Sequence, residues 1–254
     1  MTMQHIDSSY PTPSTGRVPQ EAQEAALPRH VAVVGAAGGL GQGILQSCRE
    51  NGIDFTAIVR SRPERITDLP EGSRVEVVTS LAETPALASA LAGSEAVLTA
   101  TGVTPTSQDE SALLSKNMPS LEAAMVSAGV ERIVIMSSLL THSPGAAPSL
   151  ATRIFSRFPG RMGRGARELW DQADALGRGA LSSIPWTLVR GAVNAKGKDE
   201  PPVASRDWAD GLNSWMPVSY QEMGRWMLQE SSRRKFVRAA PLVSKRRSRR
   251  LNPL

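Results

Sequence analysis

The chain has 254 residues, a formal net charge of +5 and a single cysteine, Cys48. That length suits one α/β domain with a full core, and one cysteine excludes an internal disulfide and fits a reducing, cytoplasmic compartment. No run of about 18 apolar residues occurs and the first thirty residues hold no apolar signal core, so neither a membrane span nor a secretory signal is expected. Nine cations and no acid fall in residues 231–254, so the other 230 residues sum to −4. The basicity belongs to a tail, and nucleic-acid binding is not expected of a body without a basic face.

In chain order, residues 1–29 read as a disordered leader, with Pro11, Pro13, Pro19 and Pro28 among Ser, Thr and Gln. Val31 to Val34 is an apolar run long enough for a buried strand. It leads at once into Gly35-Ala36-Ala37-Gly38-Gly39-Leu40-Gly41, and Ile44, Leu45 and Cys48 then recur at helical spacing. Asn51-Gly52 stops that helix. Phe55 to Val59 is a second strand, ending in Arg60-Ser61-Arg62. Val75 to Val78 is a third, followed by a helix from Leu81 to Leu91. Ala96 to Ala100 is a fourth, ending in Thr101-Gly102. A helix over Leu113 to Ser127 stops at Gly129, with Pro119 near its first turn. Arg132 to Met136 is the fifth strand, ending in Ser137-Ser138, and Trp186 to Val189 the sixth, ending in Arg190-Gly191. Strands alternating with helices predict a Rossmann-type doubly wound parallel sheet in a single domain over residues 30–240. Two insertions, 139–165 and 191–215, interrupt it, and residues 241–254 form a basic tail. Ligands of such a sheet lie outside the carboxyl ends of the strands, where strand order reverses.

A glycine turn between a strand and a helix binds phosphate rather than merely bending. Gly35 allows the tight turn, Gly38 leaves room for a pyrophosphate, and Gly41 lets the helix pack on the strand. The free N–H groups at the helix start then face an anion. Gly35, Ala37, Gly38, Gly39, Leu40 and Gly41 are thus the expected cofactor cradle. The residue closing the second strand reads the adenosine ribose: an acid there suits NAD, an arginine the 2′-phosphate of NADP. Arg60, with Ser61 beside it, favours NADP(H), because a guanidinium forms charge-assisted bonds to phosphate. Thr101, Gly102 and Ser137 stand at the ends of further strands, where small residues let a cofactor lie against the sheet.

GAAGGLG, AIVR, AGSEAVLTATG, AAMVSAGVERIVIMSS and IPWTLVRGA follow one another in an order that resembles the atypical short-chain dehydrogenase/reductases. The resemblance is to the NAD(P)H-binding group that includes NmrA-like proteins and the biliverdin reductase B/flavin reductase enzymes, and it covers roughly residues 30–240. By this resemblance Ser138 matches the serine of the classical catalytic set, which is paired with a Tyr and a Lys four residues apart. This chain lacks that pair: its tyrosines are Tyr10 and Tyr220, and no lysine occurs between Lys116 and Lys196. The resemblance therefore implies an NADPH-dependent oxidoreductase that passes hydride to a small conjugated or aromatic acceptor without a dedicated Tyr–Lys acid. Two alternatives stay open: a dinucleotide-sensing regulatory binder, or an isomerase or cyclase on the same fold.

His142 lies just beyond Ser138 and reads as a proton donor or as a solvated loop residue. Arg153, Arg157, Arg161, Arg164 and Arg167 fall within fifteen residues. They form an exposed basic loop, or a lid hinged at Gly160, Gly163 and Gly165 that recruits an anionic or aromatic small molecule. Trp208 and Trp215 either close the substrate side or are packed inside. Ser219, with Glu222 three residues on, is a capping box. No metal site is expected.

Overall fold

A computed structural model describes residues 26–101, 113–148, 150, 153–154, 161–208 and 211–247. Its elements are β1 (His30–Val34), α1 (Gly39–Glu50), β2 (Asp54–Val59), β3 (Arg74–Val77), α2 (Thr84–Leu91), β4 (Ala96–Thr99) and α3 (Leu114–Ala128). There follow β5 (Ile133–Ser138), α4 (Arg161–Gly177), β6 (Trp186–Gly191), β7 (Val193–Lys198), β8 (Val203–Ser205), α5 (Tyr220–Arg233) and β9 (Leu242–Ser244).

Eight of the strands form one sheet in the order β3-β2-β1-β4-β5-β6-β9-β8. Every pairing is parallel except β8 with β9. β1 pairs β2 on one side and β4 on the other, so strand order reverses there and a crevice opens at the carboxyl ends of β1 and β4. The side chains of β1 alternate between two cores. Ala32 and Val34 join α2, α3 and α4 on one face; Val31 and Val33 join α1 and α5 on the other. A strand covered on both faces is apolar at successive positions, which is why Val31 to Val34 of β1 read as an unbroken apolar run.

The elements depart from expectation where a distant contact or a proline decides. α2 begins at Thr84 rather than Leu81, because Pro85 belongs in the first turn of a helix, where its missing N–H has no partner to lose. Pro119 lies well inside α3, in its second turn, rather than near its first. α4 begins at Arg161, inside the stretch expected to be loop. Gly163 and Gly165 are therefore helical residues and not hinges; Gly160 and Arg157 lie outside the described residues. The expected tail also supplies structure: Leu242–Ser244 is a buried strand between β6 and β8, and Arg247 N–H donates to the Leu212 carbonyl at 2.8 Å. The domain thus runs past residue 240, and the charge of the last residues begins only where the sheet ends.

One buried ion pair clamps the far end of the sheet. Arg132, at the foot of β5, meets Glu230 of α5 at 3.2 Å, with side chains 1% and 3% exposed. It also donates to Thr187 Oγ1 at 2.6 Å and to the Pro185 carbonyl at 2.9 Å. Burial lowers the Arg132 pKa to about 10, against the attraction of Glu230. Cys48 faces the core from α1 as expected, and burial pushes its thiol up to about 12.

Candidate functional site

Gly35 ends β1 with φ +86°, a conformation that side chains disfavour. Its N–H and that of Ala36 both donate to the Ile58 carbonyl of β2, at 3.0 and 3.3 Å. A Cβ on Gly35 would stand 3.1 Å from the backbone of Ala100, so the turn rests in the crevice against the end of β4. A Cβ on Gly41 would stand 2.4 Å from the Gly35 carbonyl and 2.6 Å from Ala36 Cα. Only glycine allows α1 to start this close to β1.

α1 is uncapped: Gly38 at its N-cap has no side chain to offer. The first backward bond runs from Gln42 N–H to the Gly38 carbonyl at 2.9 Å, which leaves the N–H groups of Gly39, Leu40 and Gly41 ahead of it. Three donors at the positive end of a helix suit an anion. At the neighbouring strand end, the hydroxyl of Thr101 is buried and has no partner among the described residues. An uncapped helix start and an orphaned hydroxyl beside it fit a dinucleotide diphosphate. Gly102 lies outside the described residues.

Arg60 and Ser61 are exposed and directly follow β2. Gln42 ties this loop to the turn, donating to the Ala36 carbonyl at 3.1 Å and the Arg65 carbonyl at 3.2 Å. The loop holding Arg60 and the helix start holding the free N–H groups are thus anchored through one side chain.

A cavity of about 560 Å³ adjoins the crevice. Thr101 forms one wall and Ser137 and Ser138 another, with Gly165 and Leu169 of α4 above them. Val193, Asn194, Trp215 and Pro217 close the remaining side. None of these described lining residues is charged. The α4 residues that line the cavity are Gly165 and Leu169, and the sequence of α4 contains neither tyrosine nor lysine. Arg190 precedes the lining residue Gly191 but turns away. It donates to the Ala240 carbonyl at 2.7 Å and the Arg206 carbonyl at 3.1 Å, and burial lowers its pKa.

Two polar groups of the wall keep a donor to offer. Ser138 Oγ accepts the Leu140 N–H at 3.2 Å, so its own hydrogen is available. Asn194 Oδ1 accepts the Lys196 N–H at 2.9 Å, so its NH2 is the group left over. Ser137 is paired inward, 2.8 Å from Thr141 Oγ1. Trp215 is 65% exposed and stacks on Trp208 with centroids 4.7 Å apart. It is a rim residue of the cavity, not a packed core tryptophan.

His142 is not brought into this group. It is buried, with Nε2 3.0 Å from Asp174 Oδ1 and its ring edge-on to Trp170, and it does not line the cavity. The reading of His142 as a solvated loop residue is overturned by that burial. Asn194 and Leu169 were not foreseen; each is one ordinary residue, in β7 and in α4, with no local pattern to mark it. Ser219 caps α5, its side chain accepting the Glu222 N–H at 3.2 Å. Only this half of the capping box forms, because the Glu222 carboxylate turns to Arg225 and the Ser219 N–H goes to the Lys198 carbonyl.

The sequence matches a family described as NAD(P)H-binding over residues 35–226. No curated protein matches it significantly. Among solved structures, it is similar to a Bacteroides thetaiotaomicron protein provisionally named an epimerase, with TM-score 0.67 and 18% identity, over 87% of this chain and 99% of that one. It is also similar to a short-chain dehydrogenase/reductase from Veillonella parvula in complex with NADP, with TM-score 0.60 and 16% identity, over 86% and 95% of the chains. A Rossmann-fold NAD(P)-binding family protein from Shigella flexneri aligns with TM-score 0.57 and 16% identity, over 85% and 93%. At these identities the structural likeness establishes the fold alone. The family match covers three quarters of the chain, from the glycine turn to α5: this protein is a member of the NAD(P)H-binding family.

Proposed function

We propose that this protein is an NADPH-dependent oxidoreductase acting on a small, planar, conjugated or aromatic acceptor. The observation that carries the proposal is the continuity of two sites. Thr101 belongs to both: it abuts the turn that leads into an uncapped helix start suited to a diphosphate, and it lines a cavity whose described wall residues, Ser138, Asn194 and Trp215 among them, carry no charge. A bound nicotinamide supplies hydride to an electrophilic carbon of the acceptor.

The chain's own residues supply position and polarity. The N–H groups of Gly39, Leu40 and Gly41 hold the diphosphate, and Thr101 donates or accepts beside it. Arg60 and Ser61 take the 2′-phosphate that distinguishes NADPH from NADH. The Ser138 hydroxyl and the Asn194 amide donate to an acceptor oxygen and stabilise the charge that develops on it. Trp215 covers the acceptor's ring face. The proton that completes the reduction comes from Ser138 or from water at the open mouth, since α4 carries no tyrosine to give it. His142, held by Asp174 away from the cavity, has no part in this reading.

The test is NADPH oxidation with a panel of quinones, flavins and enones. Turnover with at least one planar acceptor, lowered by Ser138→Ala, is the expected result. Tight NADPH binding with no turnover across the panel overturns the reductase reading and favours a dinucleotide sensor.

A further inference from the structure

We infer that the Tyr220 hydroxyl donates a hydrogen bond to the diphosphate of the bound dinucleotide, making it a binding residue that lies nearly two hundred positions from the glycine turn in sequence. The inference rests on the dinucleotide reading above and deepens it.

Tyr220 is the first residue of α5, and its backbone is held from two directions. Ser219 caps the helix just before it. Gly43 of α1 packs against it so closely that a Cβ there would stand 2.3 Å from the Tyr220 carbonyl oxygen. The ring then lies over the first residue of α1. A Cβ on Gly39 would stand 2.5 Å from Tyr220 Cε2 and 2.8 Å from Cζ. Cζ carries the hydroxyl, so the phenol oxygen is one bond beyond an atom already touching the helix start. This contact gives Gly39 a role that the phosphate-binding motif does not: it makes room for the ring.

Tyr220 is half-buried as a residue, and its hydroxyl makes no hydrogen bond to the described residues. That leaves the phenol proton free for a ligand. The ring lies against Gly39, at a helix start whose Gly39, Leu40 and Gly41 N–H groups are donors and offer a phenol proton no acceptor. The acceptor that would serve both the phenol and these N–H groups is an anionic oxygen, and the positive end of α1 favours one there. Pro217, three residues before Tyr220, lines the acceptor cavity. In this inference the phenol meets the diphosphate between the α1 start and that cavity.

The test is calorimetry on the full chain without added acceptor, comparing wild type, Tyr220→Phe and Tyr220→Leu. The probes are NADPH and 2′-AMP, which carries the 2′-phosphate and adenosine but no diphosphate. The expected result is an NADPH Kd raised roughly tenfold in Tyr220→Phe, as for loss of one bond to a charged group, with 2′-AMP binding and the melting temperature unchanged. Tyr220→Leu should show the same NADPH loss, since it removes the same hydroxyl. An unchanged NADPH Kd in Tyr220→Phe overturns the contact. So does an equal loss for both probes, which would mean a shifted helix and not a missing bond. Failure of the wild type to bind any nicotinamide dinucleotide is a separate outcome; it overturns the cofactor reading itself and this inference with it.

Discussion

The two halves of the site are built by opposite means. The heart of the proposed coenzyme side is one continuous segment, strand, turn and helix over residues 30–50, with glycines where backbone meets backbone, and only Arg60, Ser61, Thr101 and Tyr220 join it from elsewhere. The acceptor side is gathered from four separate places: the end of β4, the end of β5, one face of α4 and the segment from Gly191 to Pro217. The first is specified by steric exclusion, the second by which distant residues happen to meet. A site made by exclusion tolerates almost no added atoms, whereas a site made by assembly can exchange individual wall residues while the sheet stands. That difference fits a fold whose members share a coenzyme turn and vary in chemistry.

The comparison can be broken at three points. The largest effect is expected from Gly41→Ala. Alanine raises helix propensity by about 1 kcal/mol, but its Cβ would overlap the Gly35 carbonyl and Ala36 Cα, which are backbone and cannot swing aside. A net destabilisation of about 2 kcal/mol is expected, with NADPH binding lost. Thermal melting and calorimetry measure both, and a fully stable, fully binding variant would refute the exclusion argument. A smaller and more selective effect is expected from Arg60→Ala. NADPH affinity should fall about tenfold or more through loss of a guanidinium–phosphate bond, while NADH affinity stays as it was. Equal change for both coenzymes would remove Arg60 from the 2′-phosphate.

The smallest effect is expected on the assembled side. Trp215→Ala should raise the acceptor KM about three- to tenfold, as for loss of one aromatic contact worth about 1 kcal/mol. The exposed indole contributes little to the core, so the melting temperature and the NADPH Kd should hold. A large drop in stability would instead make the stacked Trp208–Trp215 pair a structural brace.

Much of the frame was legible from residues alone because its signals are local. Val31 to Val34 are apolar at every position, and Phe55 to Val59 at every position but Thr56, because both faces of the sheet are covered. The glycine spacing reflects contacts between atoms only a few residues apart. Arg60 could be located in advance because it follows a strand whose neighbour carries the turn. What could not be read was long-range. Nothing near Leu242 distinguishes a strand from the start of a basic tail until β6 is there to pair with it. Nothing near His142 announces Asp174, 32 residues away, which holds it out of the cavity. The exposure of Trp215 and the seating of Tyr220 over Gly39 likewise arise from elements that meet only after folding.

The amino-acid order by itself thus determined the α/β alternation, the glycine turn and the identity of the residue closing β2, because each depends on periodicity or on neighbours along the chain. Only the tertiary structure decided where the sheet ends, which polar groups face the cavity as donors, and that a phenol from α5 rests on the first turn of α1. Those features depend on distances between residues far apart in the chain, and such distances exist only once the two cores have packed against the sheet.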